Sequence, residues 1–103
     1  TDIMNQKWAG EEALRQSGVP YTIVRPGGLV DANTSGTALR VSQGDRFVSR
    51  IARPDLAAVC VAALLDPRCL NTTFEVNYGT SAADAPVDDQ LPRLFDGLAS
   101  AIC

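Results

Sequence analysis

Arg25-Pro26-Gly27-Gly28 is the first stretch whose residue types suit contact with a ligand. It follows directly after the run Tyr21-Thr22-Ile23-Val24, whose members are all strand formers. Open α/β sheets bind ligands beyond the carboxyl ends of their strands. Because Gly27 and Gly28 have no side chain, a flat ligand can approach the backbone closely at this point. A plain turn from strand to loop is the alternative that these residues leave open.

Lys7 is the second candidate. On a helical wheel it lies near the middle of an apolar face, between Ile3 and Leu14, with Glu11 one turn later. A lysine in that position either extends its ammonium group to the rim, supported by an ion pair with Glu11, or serves a ligand. The pattern alone favours the ion pair.

Arg53-Pro54-Asp55 is the third candidate. Its guanidinium group could bind a phosphate. Helix capping and a local pair between Arg53 and Asp55 explain the same residues, and we favour this structural interpretation.

Several kinds of site are excluded by residue counts. The chain has no histidine, so a Ser-His or Cys-His catalytic pair cannot be formed from it. The cysteines are Cys60, Cys69 and Cys103, without a C-x-x-C motif, which indicates neither a disulfide framework nor a metal site. Cys60 lies in an apolar segment and is expected to be a buried small hydrophobic residue.

Charge and hydropathy restrict the partners. The net charge is −3 and the isoelectric point is about 4.7, so no nucleic-acid partner is expected. The longest apolar run, Leu56 to Leu65, is too short to span a membrane. The chain begins at Thr1 and no targeting segment is visible, as expected of a fragment or a trimmed product. The expected location is the cytoplasm or an organellar stroma or matrix.

The elements that would hold these residues alternate between helix and strand. We expect helices at 2–16, 54–65 and 88 or 89–101, strands at 21–25 and 72–77, a loop at 27–36, a small hairpin made of 38–41 and 46–48, and a linker at 81–86. This order favours an α/β layer architecture. The helix at 54–65 is apolar nearly all round and needs partners on several sides. We therefore expect further strands from outside these residues.

An ordered set of motifs resembles a known family. The motifs are Lys7-x-x-x-Glu11-x-x-Leu14, the run 17–29, Arg53-Pro54-Asp55-Leu56-Ala57 and Asn71-x-Thr73-Phe74-Glu75-Val76. Together they resemble the C-terminal half of an atypical short-chain dehydrogenase/reductase, in the NAD(P)-binding, NmrA-like group of single-domain Rossmann proteins. The resemblance extends over nearly all of residues 3–80.

The resemblance implies a fold and a set of roles. Residues 1–103 would be the C-terminal part of a Rossmann-like doubly wound parallel sheet, which binds NAD or NADP. Lys7 falls at the position of the family's catalytic lysine, which hydrogen-bonds the nicotinamide ribose. Pro26 and Gly27 fall where the backbone passes the nicotinamide ring, and Arg25 and Gly28 complete the implied cofactor contacts. Residues 28–50 would form the wall on the substrate side.

Two departures from the family pattern leave the function open. The family's catalytic tyrosine lies four residues before the lysine, where this chain has Ile3, and the motif G-x-x-G-x-x-G is absent from these residues. One hypothesis is an NAD(P)H-dependent oxidoreductase that acts on a small carbonyl or related compound. A second is a module that senses NAD(P) or assists assembly without turnover. A third is a piece without independent function, which a protein partner or a missing N-terminal half would complete.

Overall fold

The computed structural model describes residues 2–34, 36–44 and 49–99, and of residues 2–5 the backbone alone. Within these ranges the helices are α1 (Asp2–Gln16), α2 (Arg53–Leu65) and α3 (Val87–Leu94), and a short 3-10 turn spans Pro67–Cys69. The strands are β1 (Thr22–Pro26), β2 (Gly28–Val30), β3 (Thr37–Ser42), β4 (Arg50–Ala52) and β5 (Thr72–Ala82). None of the described helices is both long and apolar enough to cross a membrane.

The main sheet has β5 at its centre. Its strand order is β1-β5-β3, with β1 parallel and β3 antiparallel to β5. In the parallel pair Thr22 lies opposite Thr72 and Pro26 lies opposite Val76. β2 and β4 form a separate two-stranded parallel sheet. The expected α/β class is thus confirmed, with a parallel pair of strands and an antiparallel edge strand.

The two faces of β5 differ in chemistry because successive side chains point to opposite sides of a strand. One side, here called the apolar face, carries Phe74, Val76 and Tyr78, which belong to a core with Val59 of α2. The rings of Phe74 and Phe95 lie 5.6 Å apart at 58°. The other side, here called the polar face, carries Thr73, Glu75 and Asn77, whose exposed fractions are only 0%, 4% and 2%. α1 contacts the polar face, so helices lie on both sides of the sheet.

Several predicted bounds were wrong. β3, which contains the strand predicted at 38–41, pairs with β5, a partner that was not predicted. The predicted hairpin partner at 46–48 lies outside the described residues, so that hairpin stays a prediction. The predicted loop at 27–36 contains β2, which is too short to show an alternating pattern. β5 continues past the predicted end at Asn77 to Ala82, the second position of the predicted linker, because β3 pairs with it along that length. α3 ends at Leu94, with Gly97 at a φ of 79° soon afterwards, and the end of the predicted helix lies outside the described residues.

α1 and α2 leave apolar side chains open to solvent. On α1, Trp8 and Leu14 are 50% and 37% exposed, so the predicted apolar side of this helix is not buried by the described part of the chain. On α2, Leu64 and Leu65 are 82% and 78% exposed. Cys60 is also exposed, contrary to the prediction that it is buried: its neighbour Val59 faces the core, and one residue along a helix turns the side chain by about 100°.

Candidate functional site

The turn at the end of β1 is shaped by the chain itself. A Cβ atom on Gly27 would lie 2.1 Å from Oδ1 of Asn77 and 2.3 Å from the carbonyl oxygen of Ser49. Gly27 is therefore required for the close packing of three chain segments. Gly28 differs, because its added Cβ would meet nothing closer than 3.9 Å, and the residue is exposed. The backbone of Pro26 and Gly28 is thus the accessible part of this turn.

Arg25 directs its guanidinium group onto the polar face of β5. Nη2 and Nε donate to the two carboxylate oxygens of Glu11 at 2.5 and 3.0 Å. Nη1 donates to Oε2 of Glu75 at 3.4 Å. The hydrogen bond from Arg25 is the main cause that lowers the pKa of Glu11, and partial burial of that carboxyl opposes it. Glu11 was predicted to pair with Lys7, but its carboxylate accepts hydrogen bonds from Arg25 instead.

Arg15 makes a second connection between α1 and the sheet. Its Nη2 atom donates to Oγ1 of Thr73 at 3.0 Å and to Oε1 of Glu11 at 3.3 Å. The side chains of Arg15, Glu11 and Arg25 are 13%, 17% and 18% exposed, so solvent screens these ion pairs only in part. α1 is therefore attached to the sheet by directional polar contacts.

Lys7 is exposed, one turn before Glu11 on α1. Among the side chains that the structure describes, none forms an ion pair or hydrogen bond with its ammonium group. A lysine ammonium has three donors and no acceptor. It is therefore available to a ligand that offers hydroxyl or carbonyl oxygens. The assignments of Lys7, Arg25, Pro26, Gly27 and Gly28 to a cofactor stay predictions.

A cavity of about 530 Å³ lies beside β2 and the beginning of β4. Its lining includes Val30, Asp31, Asn33, Thr34, Ser49 and Tyr78. Many of these side chains carry polar groups, but the surface that they present to the cavity is more apolar than polar. The lining comes largely from the range 28–50 that the resemblance assigned to the substrate side. The volume is within the range of about 300–1,000 Å³ that is usual for small-molecule sites.

Tyr78 is a residue of this region that the sequence analysis did not single out. Its hydroxyl group donates to the carboxylate of Asp55 and accepts the backbone N–H of Ala52 at 3.1 Å. Burial and the hydrogen bond with Asp55 raise the pKa of Tyr78 to about 12. The available signal was the alternation Phe74, Val76, Tyr78, which assigns all three to one face of a strand.

The Arg53-Pro54-Asp55 segment begins α2, as the structural interpretation predicted, but its contacts differ. Arg53 pairs across the cavity rim with Asp31, Nη1 to Oδ1 at 2.6 Å, while Asp55 accepts from Tyr78. The N-cap is Ala52 and has no capping side chain. A phosphate contact of Arg53 stays a prediction. Among the described residues no group of three or more His, Cys, Asp or Glu could hold a metal ion.

Residues 1–67, which include α1, β1 and all of α2, match a family model described as NAD(P)H-binding. The chain belongs to this NAD(P)H-binding family. A nicotinamide dinucleotide is therefore its cofactor class, and the match does not distinguish NAD from NADP. The resemblance to atypical short-chain dehydrogenases/reductases is confirmed.

Two curated proteins and one solved structure extend this result. The chain is 42% identical over 74 residues to the chloroplastic protein High Chlorophyll Fluorescence Phenotype 173 of Arabidopsis thaliana, with 72% of this chain and 12% of that protein covered. It is 37% identical over 79 residues to sanguinarine reductase of Eschscholzia californica, with 73% and 29% covered. An oxidoreductase structure from Lactococcus lactis aligns with a TM-score of 0.61 at 17% identity, over 84% of this chain and 36% of that one.

These relatives are all much longer than the chain. It spans about an eighth of the Arabidopsis protein and less than a third of sanguinarine reductase. The solved structure establishes the fold, which is Rossmann-like α/β. The chain thus has the features of an NAD(P)H-binding domain, and its relatives are oxidoreductase-like.

Proposed function

We propose that these residues form the nicotinamide and substrate side of an NAD(P)H-dependent oxidoreductase that acts on a small molecule. The observation that carries the proposal is the exposed ammonium group of Lys7, which has no partner among the described side chains. Lys7 lies on the helix that leads into β1, and β1 ends at the accessible Pro26–Gly28 backbone. Both lie within the residues that match the NAD(P)H-binding family. An exposed cation, together with a strand end without bulky side chains, suits a ligand with sugar hydroxyl groups and a flat ring.

The chemistry of the present residues fits a nicotinamide nucleotide. Lys7 would donate hydrogen bonds to ribose hydroxyl oxygens. The backbone of Pro26 and Gly27 would run along the ring, with Gly28 leaving room on the solvent side. When bound, the cofactor supplies the hydride chemistry. The protein's part is to orient the ring and to hold the substrate beside it.

The cavity of about 530 Å³ is the proposed substrate pocket. Its lining combines polar side chains with a larger apolar surface, which favours a compound that has both hydrogen-bonding groups and an apolar part. Tyr78 is neutral near pH 7, as an ordinary tyrosine would be, and it donates its proton to the carboxylate of Asp55. We assign Tyr78 to holding the pocket wall in place.

A further segment would complete the sheet, either the preceding part of the same protein or a protein partner. The exposed apolar side chains of α2, Val61, Leu64 and Leu65, support this because such a surface is normally covered. So does β1, whose outer edge pairs with no strand among the described residues. The chloroplastic relative supports an organellar stroma as the location.

A non-catalytic NAD(P)-sensing or assembly module is the second candidate. The observation that favours it is Ile3, which stands where the family has its catalytic tyrosine and has no proton to donate. In that case the cofactor would regulate an interaction and would not be oxidised.

A fluorescence titration of the complete natural chain with NADPH and with NADH tests the proposal. We expect one of them to bind, and Lys7→Ala to weaken it about tenfold, as expected for a charged hydrogen-bond donor. Arg93→Ala is the control, since Arg93 is an exposed cation that pairs with Asp84 at 3.6 Å, outside the site. Binding of neither dinucleotide would contradict the proposal.

Oxidation of the bound cofactor across a panel of carbonyl compounds separates the two candidates. Turnover of any compound supports the oxidoreductase. Tight binding without turnover over the whole panel supports the sensor or assembly module instead.

A further inference from the structure

The contacts between α1 and the sheet form two levels, here called the polar ladder. At the first level Arg15 donates to Thr73 of β5. At the second level Glu11 accepts from Arg25 of β1, which also donates to Glu75 of β5. Thr73 lies opposite Ile23 of β1, so as the residue number falls along α1 from 15 to 11, the matching position on β1 rises from 23 to 25. α1 and β1 therefore run antiparallel to one another.

The spacing of the two levels matches the geometry of a helix against a strand. Arg15 and Glu11 are four residues apart, which is about 6 Å along a helix. Thr73 lies opposite Ile23, two residues before Arg25, which is about 6.6 Å along a strand. The two levels are thus separated by nearly the same distance along the helix and along the sheet.

A further displacement of the same length, along α1 and along the strand direction, leads to the proposed site. Four residues before Glu11 is Lys7, about 6 Å further along α1. Two residues after Arg25 is Gly27, about 6.6 Å further along the strand direction. Lys7, Glu11 and Arg15 share one side of the helix because side chains four apart lie nearly above one another. A third level would therefore place Lys7 at the same position as Gly27 along the strand direction.

We infer that Arg25, Glu11 and Arg15 are positioning residues. They fix the position of Lys7 along the strand direction, relative to the Pro26–Gly27 backbone. This inference rests on the proposed function, since it assigns these residues a purpose in cofactor binding. Arg25 acts through Glu11 and α1, because its guanidinium group is directed to the carboxylates of Glu11 and Glu75. Apolar contacts alone would allow α1 to slide, because the hydrophobic effect has no direction.

Two other roles for Arg25 make different predictions. If Arg25 touched the cofactor directly, its loss would weaken binding whether or not Lys7 were present. If Arg25 only stabilised the fold, its loss would also act independently of Lys7. A positioning role alone requires that the effect of Arg25 disappear when Lys7 is removed.

A double-mutant cycle on NADPH affinity tests this, by fluorescence titration of the complete natural chain well below its unfolding temperature. We expect Lys7→Ala to weaken binding about tenfold and Arg25→Gln about fivefold. In the Lys7→Ala background, Arg25→Gln should change the affinity less than about twofold. Arg68→Gln is the matched control, because Arg68 also bridges two carboxylates, Asp66 and Asp96, on another part of the surface.

Each outcome decides between the roles. An equal effect of Arg25→Gln in both backgrounds, or no effect in the natural background, overturns the positioning role while the proposed function stands. A natural protein that binds neither NADPH nor NADH overturns both. If Arg25→Gln does not fold, Glu11→Gln replaces it in the cycle, since it keeps the shape of the side chain and removes the charge that Arg25 holds.

Discussion

The two faces of β5 are equally hidden from water but are built from different interactions. Phe74 and Val76 on the apolar face are 0% exposed, and Thr73, Glu75 and Asn77 on the polar face are at most 4% exposed. The apolar face packs against α2 and Phe95. The polar face is joined to α1 by hydrogen bonds and ion pairs.

The difference implies that the apolar face mainly determines stability, whereas the polar face mainly determines how α1 is aligned with the sheet. Burial of apolar area stabilises a fold without specifying where along its length each element sits. Buried ion pairs contribute little net stability because desolvation opposes them, yet they form only in one geometry. We therefore expect substitutions on the apolar face to lower mainly the free energy of unfolding, and those on the polar face to alter mainly the site.

Phe74→Ala should have the largest effect on stability. The ring is fully buried against Phe95, and truncating a buried phenylalanine typically costs about 3–5 kcal/mol. Denaturant unfolding of the complete natural chain measures it. Val19→Ala, at a side chain that is 57% exposed, should stay within about 0.5 kcal/mol. A loss below about 1 kcal/mol for Phe74→Ala would mean that the apolar face is not the main source of stability.

Tyr78→Phe should have an intermediate effect, because it removes the one hydroxyl group that joins Asp55 to the N–H of Ala52. Leaving buried partners unsatisfied costs about 1–3 kcal/mol. Tyr21→Phe is the matched control, since no described residue hydrogen-bonds its hydroxyl group. Unfolding measurements on both variants give the comparison.

The pH dependence of the Tyr78 effect has a definite sign. Its pKa is raised from 10.0 to about 12, so the folded state favours the neutral phenol. The resulting stabilisation is complete below pH 10 and is lost as the pH rises towards about 12. The difference between natural protein and Tyr78→Phe should shrink over that interval, and a difference that grows there would contradict the assigned hydrogen bond.

Glu11→Gln should have the smallest effect on stability, about 1 kcal/mol near neutral pH, because the carboxylate is only partly buried. The pKa of Glu11 is lowered below its usual 4.5, so its stabilising contribution is present above pH 4.5 and is lost as the pH falls through the lowered value. The difference in unfolding free energy between the two proteins should therefore be largest at neutral pH and should shrink as the pH falls below 4.5.

Glu12→Gln is the control for this experiment, since Glu12 is 54% exposed and contacts Arg15 at 3.4 Å. A Glu11→Gln effect that is equal at both pH values would show that the carboxylate charge is not what holds α1 to the sheet.

Local signals in the sequence predicted the individual helices and strands well and their partners poorly. The bounds of α1 were predicted because Gly18, at a φ of 78°, and Pro20 mark its end. The pairing of β3 with β5 joins segments far apart in the chain, and no local pattern encodes it. Glu11 was assigned to Lys7 because helical spacing reveals only neighbours on the same helix. Its partner Arg25 lies on a strand, and that contact depends on how α1 packs against β1.

The two glycines after β1 would be read differently in a set of related sequences. At Gly27 any side chain collides with Ser49 and Asn77, so the position should remain glycine even in descendants that have lost the cofactor. Gly28 has free space around its Cα atom, so only a bound molecule would keep it small. An invariant Gly27 would thus indicate a requirement of the fold, and an invariant Gly28 would indicate ligand binding. Neighbouring positions with the same amino acid can therefore evolve under unrelated constraints.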